Sequence, residues 1–332
     1  MKLKKTKHSE KVRVLMILFV AVVFFLMAFP CLAQNGKANK VTVLVPASTA
    51  STPFFFLDSE DHEFNLDIVV EVFINHPQAM AKLLRGEVDL LFTGTSTGWE
   101  NYLDKGPLMM INTGVWGVSY LIGKDPSIKS FSDLKGKHIA LPFPGSPLDF
   151  QTRCILEKEG LDPKKDLTIS YSPFTQTVSK LLMNQIDVAP LPEPLATNIT
   201  VNKKLFRLID YKKAWAKVSG GNEYSPQVSL FSKKEYCFSH KKIISTLVDA
   251  WEWATEKTKN DPMTASKISE SYLNFPRNII ETAVKNTLYY IPDFQTNMEL
   301  VTDYYEIVKE YIPGKRGRLK EDFFFNYESN EN

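Results

Sequence analysis

Three short segments of this chain gather small hydroxyl residues, glycine and proline where an apolar run ends, and a fourth sets a carboxylate between two prolines. The turn Phe143-Pro144-Gly145-Ser146-Pro147 stands between an apolar run and a helix-like segment. Glycine there lets backbone approach a ligand, and Ser146 can cap the helix or donate to a bound group. Backbone N–H groups at a helix N-terminus also suit an anionic or strongly polar ligand. Asp149 falls in that helix's first turn, where an acid favours the dipole in any case. Ser48 and Thr49 lie in a hydroxyl run directly after the first strand-like stretch, and Thr93, Gly94, Thr95 and Ser96 repeat the pattern after the third. Open α/β sheets place ligand contacts at such positions, although an N-cap turn has the same composition. Glu193, held between Pro192 and Pro194, can accept hydrogen bonds from an amino-bearing ring or brace a hinge. Trp116 offers a flat face for stacking or for a cation, or packs in the core.

Other chemistries find less support. His62, His76, His138 and His240 are scattered, and no Cys/His cluster has metal-ligand spacing. Cys154 and Cys237 allow one disulfide at most, and both read as small buried hydrophobes. No cofactor is expected. Arg153, one turn into the helix after Gly145, is the only cation near these loops, which disfavours a doubly charged phosphate.

The elements that must carry these loops alternate. Strands are expected at Lys40–Pro46, Leu66–Phe73, Val88–Phe92, Pro107–Asn112, Val115–Gly123, Thr168–Tyr171, Ile186–Ala189 and Ser225–Phe231. Met80, Leu83 and Leu84 give one helix its inward face, and Gly86 ends it. The turn Met183-Asn184-Gln185-Ile186-Asp187 mirrors Leu84-Arg85-Gly86-Glu87-Val88-Asp89, each followed by a strand holding an Asp. Helical patterns occupy Gln176–Leu182, Ile243–Lys259, Ala265–Tyr272, Pro276–Tyr289 and Leu300–Tyr311. Trp251 and Trp253 cannot both face inward from one helix. The chain is expected to cross to a second lobe near Gly114–Gly117 and to return within Phe206–Val218.

The N-terminus predicts export. Six basic residues and one acid precede an apolar run from Val14 to Phe29, and Cys31-Leu32-Ala33 lead into the polar Gln34. Such an arrangement reads as a signal peptide over residues 1–33, cleaved after Ala33. The run is shorter than the ~20 residues of a spanning helix. Lipidation at Cys31 is disfavoured by Pro30 and Ala28 before it. Of 40 basic and 38 acidic residues, 34 and 37 remain after cleavage, a slightly acidic body that argues against nucleic acid as partner. Lys315-Arg316-Gly317-Arg318-Leu319-Lys320 is read as a solvated tail feature.

Leu83-Leu84-Arg85-Gly86-Glu87-Val88-Asp89, Phe131-Ser132-Asp133-Leu134-Lys135-Gly136-Lys137, Glu159-Gly160-Leu161-Asp162-Pro163, Glu193-Pro194 and Asn260-Asp261-Pro262-Met263-Thr264-Ala265 occur in that order. In this order and spacing the chain resembles type 2 periplasmic solute-binding proteins, in the sulfonate- and thiamine-precursor-binding branch that accompanies ABC importers. The resemblance spans roughly Val41 to Lys309. It implies an α/β fold of two lobes, 34–115 with 216–332 and 116–215, joined by two crossover strands around a ligand cleft. It further implies a non-enzymatic, monomeric protein that delivers a small polar or aromatic solute to a membrane permease. By position, the ligand loops fall on Ser48, Thr49, Thr93 to Ser96, Trp116, Gly145-Ser146-Pro147 and Glu193. Glu193 with Trp116 and Phe143 leans toward an aromatic, nitrogen-rich solute. The alternatives are an enzyme on the same fold, which the leader disfavours, and a sensor domain serving a receptor.

Overall fold

Val41, Val43 and Val45 alternate inward in β1 (Asn39–Pro46), and the parallel strand β2 (Leu66–Phe73) pairs with it over its full length. The computed structural model describes residues 39–60, 62–202, 205–312 and 317–328. The expected leader, Cys31, Gln34 and the first two residues of the Lys315–Lys320 stretch lie outside them. Between and after these strands come α1 (Thr52–Ser59), α2 (His76–Arg85), β3 (Leu90–Gly94), α3 (Thr95–Leu103) and β4 (Leu108–Gly117). A second set follows: β5 (Ser119–Gly123), β6 (His138–Leu141), α4 (Pro147–Lys158), β7 (Thr168–Tyr171), α5 (Phe174–Leu182), β8 (Val188–Pro192), α6 (Leu195–Asn202), β9 (Phe206–Asp210) and α7 (Tyr211–Val218). The chain closes with β10 (Val228–Lys233), α8 (Lys234–Ser239), α9 (Lys241–Asn260), α10 (Pro262–Leu273), α11 (Arg277–Asn286), β11 (Leu288–Tyr289) and α12 (Phe294–Val308).

The strands form two mixed sheets, ordered β11-β4-β10-β3-β1-β2 and β7-β6-β8-β5-β9. Each sheet with its helices makes one lobe. β4 ends the first stay in the first sheet at Gly117, and β5 opens the second sheet at Ser119, so a single residue, Val118, links them. β9 pairs with β5 in the second sheet up to Asp210 and the first sheet resumes at Val228, so the return falls between these residues, a span that overlaps the expected Phe206–Val218. The expected break at Thr113–Gly114 is absent. β10 pairs along β4 with two register shifts, and this pairing carries β4 through the glycine. Gly114 has a packing reason, because a Cβ there would lie 2.1 Å from the Trp251 ring.

The two mirrored turns are built alike. Gly86 and Asn184 both adopt left-handed backbone, at φ 74° and 57°, and each ends its helix. The aspartates that follow act as clamps. Asp89 accepts from the Thr42 amide at 2.8 Å while its own N–H donates to the Thr42 carbonyl at 3.1 Å. Asp187 makes the same pair with His138, at 2.7 and 2.9 Å. Both carboxylates therefore fix strand register in their lobe.

Trp251 packs inward against Phe54 and Phe92, with ring centroids 5.0 and 5.3 Å away, whereas Trp253 is half-buried and covers Phe64. Leu83 is buried on α2 as expected, joined by Ala79, whereas Leu84, also expected inward, is exposed. The helix expected over Pro276–Tyr289 stops at Asn286, because Leu288 and Tyr289 pair with β4 as β11. Cys154 and Cys237 are free and buried, and burial pushes their thiols up to about 11 and about 12. Among the described residues no helix is long and apolar enough to cross a membrane, and no group of His, Cys, Asp or Glu is placed to hold a metal.

Candidate ligand cleft

Parallel strands point their C-terminal ends at a shared crevice, the usual ligand position in open α/β sheets. β1 and β3 supply that edge in the first lobe, and β6, β7 and β8 supply it in the second. The sequence-expected residues populate both edges, but with different tasks.

Ser48 accepts from the Ala50 amide and so caps the short 3-10 turn Thr49–Ser51. Thr49 is buried and shares a hydrogen bond of 3.0 Å with Thr287. Thr93 is bonded to Nδ1 of His76 at 2.9 Å, and Thr95 to Ser229 at 2.7 Å, which in turn reaches Thr113. Thr95 and Ser96 do not lie in a loop, as their composition suggested. They open α3 directly after Gly94, because Trp99 one turn on is drawn into an aromatic core with Phe150, Tyr304 and Tyr305. Ser96 crosses the crevice and donates to the Gly145 carbonyl at 2.8 Å.

On the opposite edge Gly145 adopts left-handed backbone at φ 80°, and its N–H donates to Asp149 Oδ2 at 2.9 Å. Ser146 caps α4 by accepting from the Asp149 amide at 3.1 Å, and Pro147 occupies the first turn. Asp149 is buried, and also accepts from Arg153 at 2.7 Å and from the Tyr171 hydroxyl at 3.1 Å. The α4 turn is thus held by its own side chains, with Arg153 already paired.

Glu193 and Trp116 are committed elsewhere. The Glu193 side chain is fully buried. It receives Arg207 at 2.5 Å, the Thr197 amide at 3.0 Å and the Asn286 side-chain amide at 3.0 Å. Arg207 lies over the Tyr120 ring at 4.2 Å, and the Tyr120 hydroxyl donates to the Asn286 carbonyl at 3.1 Å. One residue of the first lobe, Asn286, therefore meets three side chains of the second, the third being Lys212 of α7, which donates to the same carbonyl at 3.5 Å. Trp116 donates its indole N–H to the Tyr290 carbonyl at 2.8 Å and stands edge-on to Tyr224, wholly buried beside the passage between lobes.

Sequence reasoning missed four groups at these edges. His76 opens α2 between Phe73 and, from the other lobe, Phe143, with centroids 5.0 and 5.6 Å away; burial lowers its pKa to about 4. The side-chain oxygens of Thr97, Ser119 and Ser172 are buried with no hydrogen-bond partner among the described residues. Ser119 stands opposite Pro192 at the end of β8, and Ser172 follows β7. Thr97 belongs to the hydroxyl run already singled out, one residue beyond the expected contacts. Its Oγ1 lies 3.6 Å from the point where a Gly94 Cβ would stand, and Pro147 of the other lobe lies 3.4 Å from that point. Two helix N-termini, α3 and α4, thus meet around an unsatisfied hydroxyl.

Comparison with known proteins agrees with this architecture. No curated protein matches the chain in sequence. An ABC transporter from Parabacteroides distasonis is 17% identical, with a TM-score of 0.71 over 86% of this chain and 98% of its own. The periplasmic aliphatic sulphonate binding protein SsuA of Escherichia coli is 14% identical, with a TM-score of 0.68 over 84% and 95%. The periplasmic nitrate-binding protein NrtA of Synechocystis is 14% identical, with a TM-score of 0.66 over 86% and 84%. At such identities they establish the periplasmic-binding-protein fold. The family model described as "ABC transporter, phosphonate, periplasmic substrate-binding protein" matches residues 59–247, more than half of the chain. The protein accordingly belongs to this family of periplasmic substrate-binding components of ABC transporters.

Proposed function

We propose that the protein captures a small organic solute bearing one oxyanion, of the sulfonate or phosphonate-monoanion class, by closing its lobes over it. In this reading it then hands the solute to a membrane permease, as an exported monomer beginning at Gln34. The observation that carries the solute class is the unsatisfied Thr97 hydroxyl between the N-terminal turns of α3 and α4. Helix N-termini and hydroxyl donors favour an anion without requiring a cation in contact. The single charge follows from the cations: Arg153 beside the α4 turn and Arg207 in the same lobe are each paired with a carboxylate, so neither is free to offset the second charge of a dianion. An aromatic, nitrogen-rich solute loses support, because Glu193 and Trp116 were its two anchors and both are engaged within the protein. The sulfonate-binding neighbours and the phosphonate family model point to the same class.

Native mass spectrometry of the mature protein, then denaturation and identification of any released molecule, tests the class directly. Isothermal titration with ethanesulfonate, methylphosphonate and an aminopyrimidine extends the test. Thr97→Val should weaken the preferred anion by ~1 kcal/mol or somewhat more, five- to tenfold in Kd. Preferred binding of the aminopyrimidine, or an unchanged Kd in the variant, would overturn the reading.

A further inference from the structure

Away from the crevice, α7 and α12 enclose a groove of about 330 Å³. Trp215, Tyr224, Tyr304, Asn222, Asp303 and Glu306 are among its lining residues, and none belongs to the crevice edges described above. We propose that this groove binds a small organic cation carrying a hydroxyl or similar oxygen, of the amino-alcohol class.

Three observations carry the assignment. The first is the aromatic lining: half-buried Tyr224 borders the groove together with the buried pair Trp215 and Tyr304, whose centroids lie 4.7 Å apart, and an aromatic face attracts a cation. The second is charge. Asp303 and Glu306 stand three residues apart on α12 and so share a helix face. Glu306 is paired with Lys309, while exposed Asp303 has no hydrogen-bond or ion-pair partner among the described residues. The third is an unmet hydrogen-bonding demand. The Trp215 indole N–H and the Tyr304 hydroxyl are buried without a partner, on two side chains that line the groove. Indole donates and never accepts, so its complement is a ligand oxygen. A bare ammonium would satisfy the carboxylate and the rings but not that donor. A quaternary or primary amine with a hydroxyl satisfies all three.

Titration of the full mature protein with choline, monitored by calorimetry, tests this. Choline should bind saturably, and its neutral isostere 3,3-dimethyl-1-butanol about tenfold more weakly, the factor expected of a cation–π and carboxylate site. Asp303→Asn, at an exposed position where folding is not at stake, should weaken choline several-fold and leave the crevice solute unaffected. Trp215→Phe should weaken choline but not tetramethylammonium, which has no oxygen to accept from the indole. Absence of saturable binding into the tens of millimolar, equal binding of the neutral isostere, or full affinity in Asp303→Asn would overturn the proposal.

Discussion

Replacing Glu193 separates a structural carboxylate from a ligand-binding one. The side chain is fully buried and accepts three hydrogen bonds, one from Arg207, whose own side chain is 26% exposed. Removing one partner of a buried ion pair costs roughly 3–5 kcal/mol, and the exposure of Arg207 places this case near 3 kcal/mol. Glu193→Gln keeps the shape and one acceptor for the Thr197 amide. Its new NH2 then confronts donors on Arg207 and Asn286, so we expect a loss of about 2–3 kcal/mol rather than a mild effect. Arg207→Met in the same background should restore part of that loss, because one of the two donor conflicts, that with Arg207, disappears while that with Asn286 remains. Urea unfolding with linear extrapolation measures all four variants of the cycle, and calorimetry on the same samples measures solute affinity. A stability change below about 0.5 kcal/mol, together with a tenfold or larger loss of affinity, would refute the reasoning and return the carboxylate to the solute.

Two further outcomes are expected. The burial that lowers His76 from 6.5 to about 4 makes the folded state reject a proton that the unfolded chain accepts. The contribution is therefore complete above pH 6.5 and is lost as pH falls through 4, by on the order of 2–3 kcal/mol. His76→Gln should flatten this part of the profile in urea unfolding between pH 7.5 and 4, and parallel profiles would remove His76 as the cause. Gly145→Ala places a side chain at φ 80° with its Cβ 2.9 Å from Glu100 Oε1, whereas Gly160→Ala at φ 87° meets nothing within 4 Å. Both should cost ~1–2 kcal/mol for the left-handed backbone, and only Gly145→Ala should also weaken solute binding; equal affinity in both would take this turn out of the site.

Much of the architecture is legible along the chain. Alternation and β-branched runs locate β1, β2 and β7 closely, because strand patterning with one or two buried faces is a local property. The mirrored turns before Asp89 and Asp187 are visible for the same reason: Gly86 and Asn184 end helices through their own backbone preferences. The order of these elements suffices for the fold, and both hydroxyl runs fall on the first lobe's edge of the crevice. α3 escaped, since Thr95-Ser96-Thr97-Gly98 is a poor helix former, and it coils because Trp99 is buried against residues from distant elements.

Side-chain roles are a different matter. Glu193 and Trp116 look like ligand contacts in isolation, as a carboxylate between prolines and a large flat ring. Their partners are Arg207, Asn286 and Tyr290, 14, 93 and 174 residues away from them respectively. Thr97 and Ser96 are neighbours of the same type, yet one finds a carbonyl across the crevice and the other finds none. The chain by itself determines where strands, turns and polar runs fall, because dihedral preference and burial period act over a few residues. Only the packing of two lobes decides which polar groups satisfy one another and which are left for a ligand, because hydrogen-bond partnership depends on groups that meet in space from far along the chain.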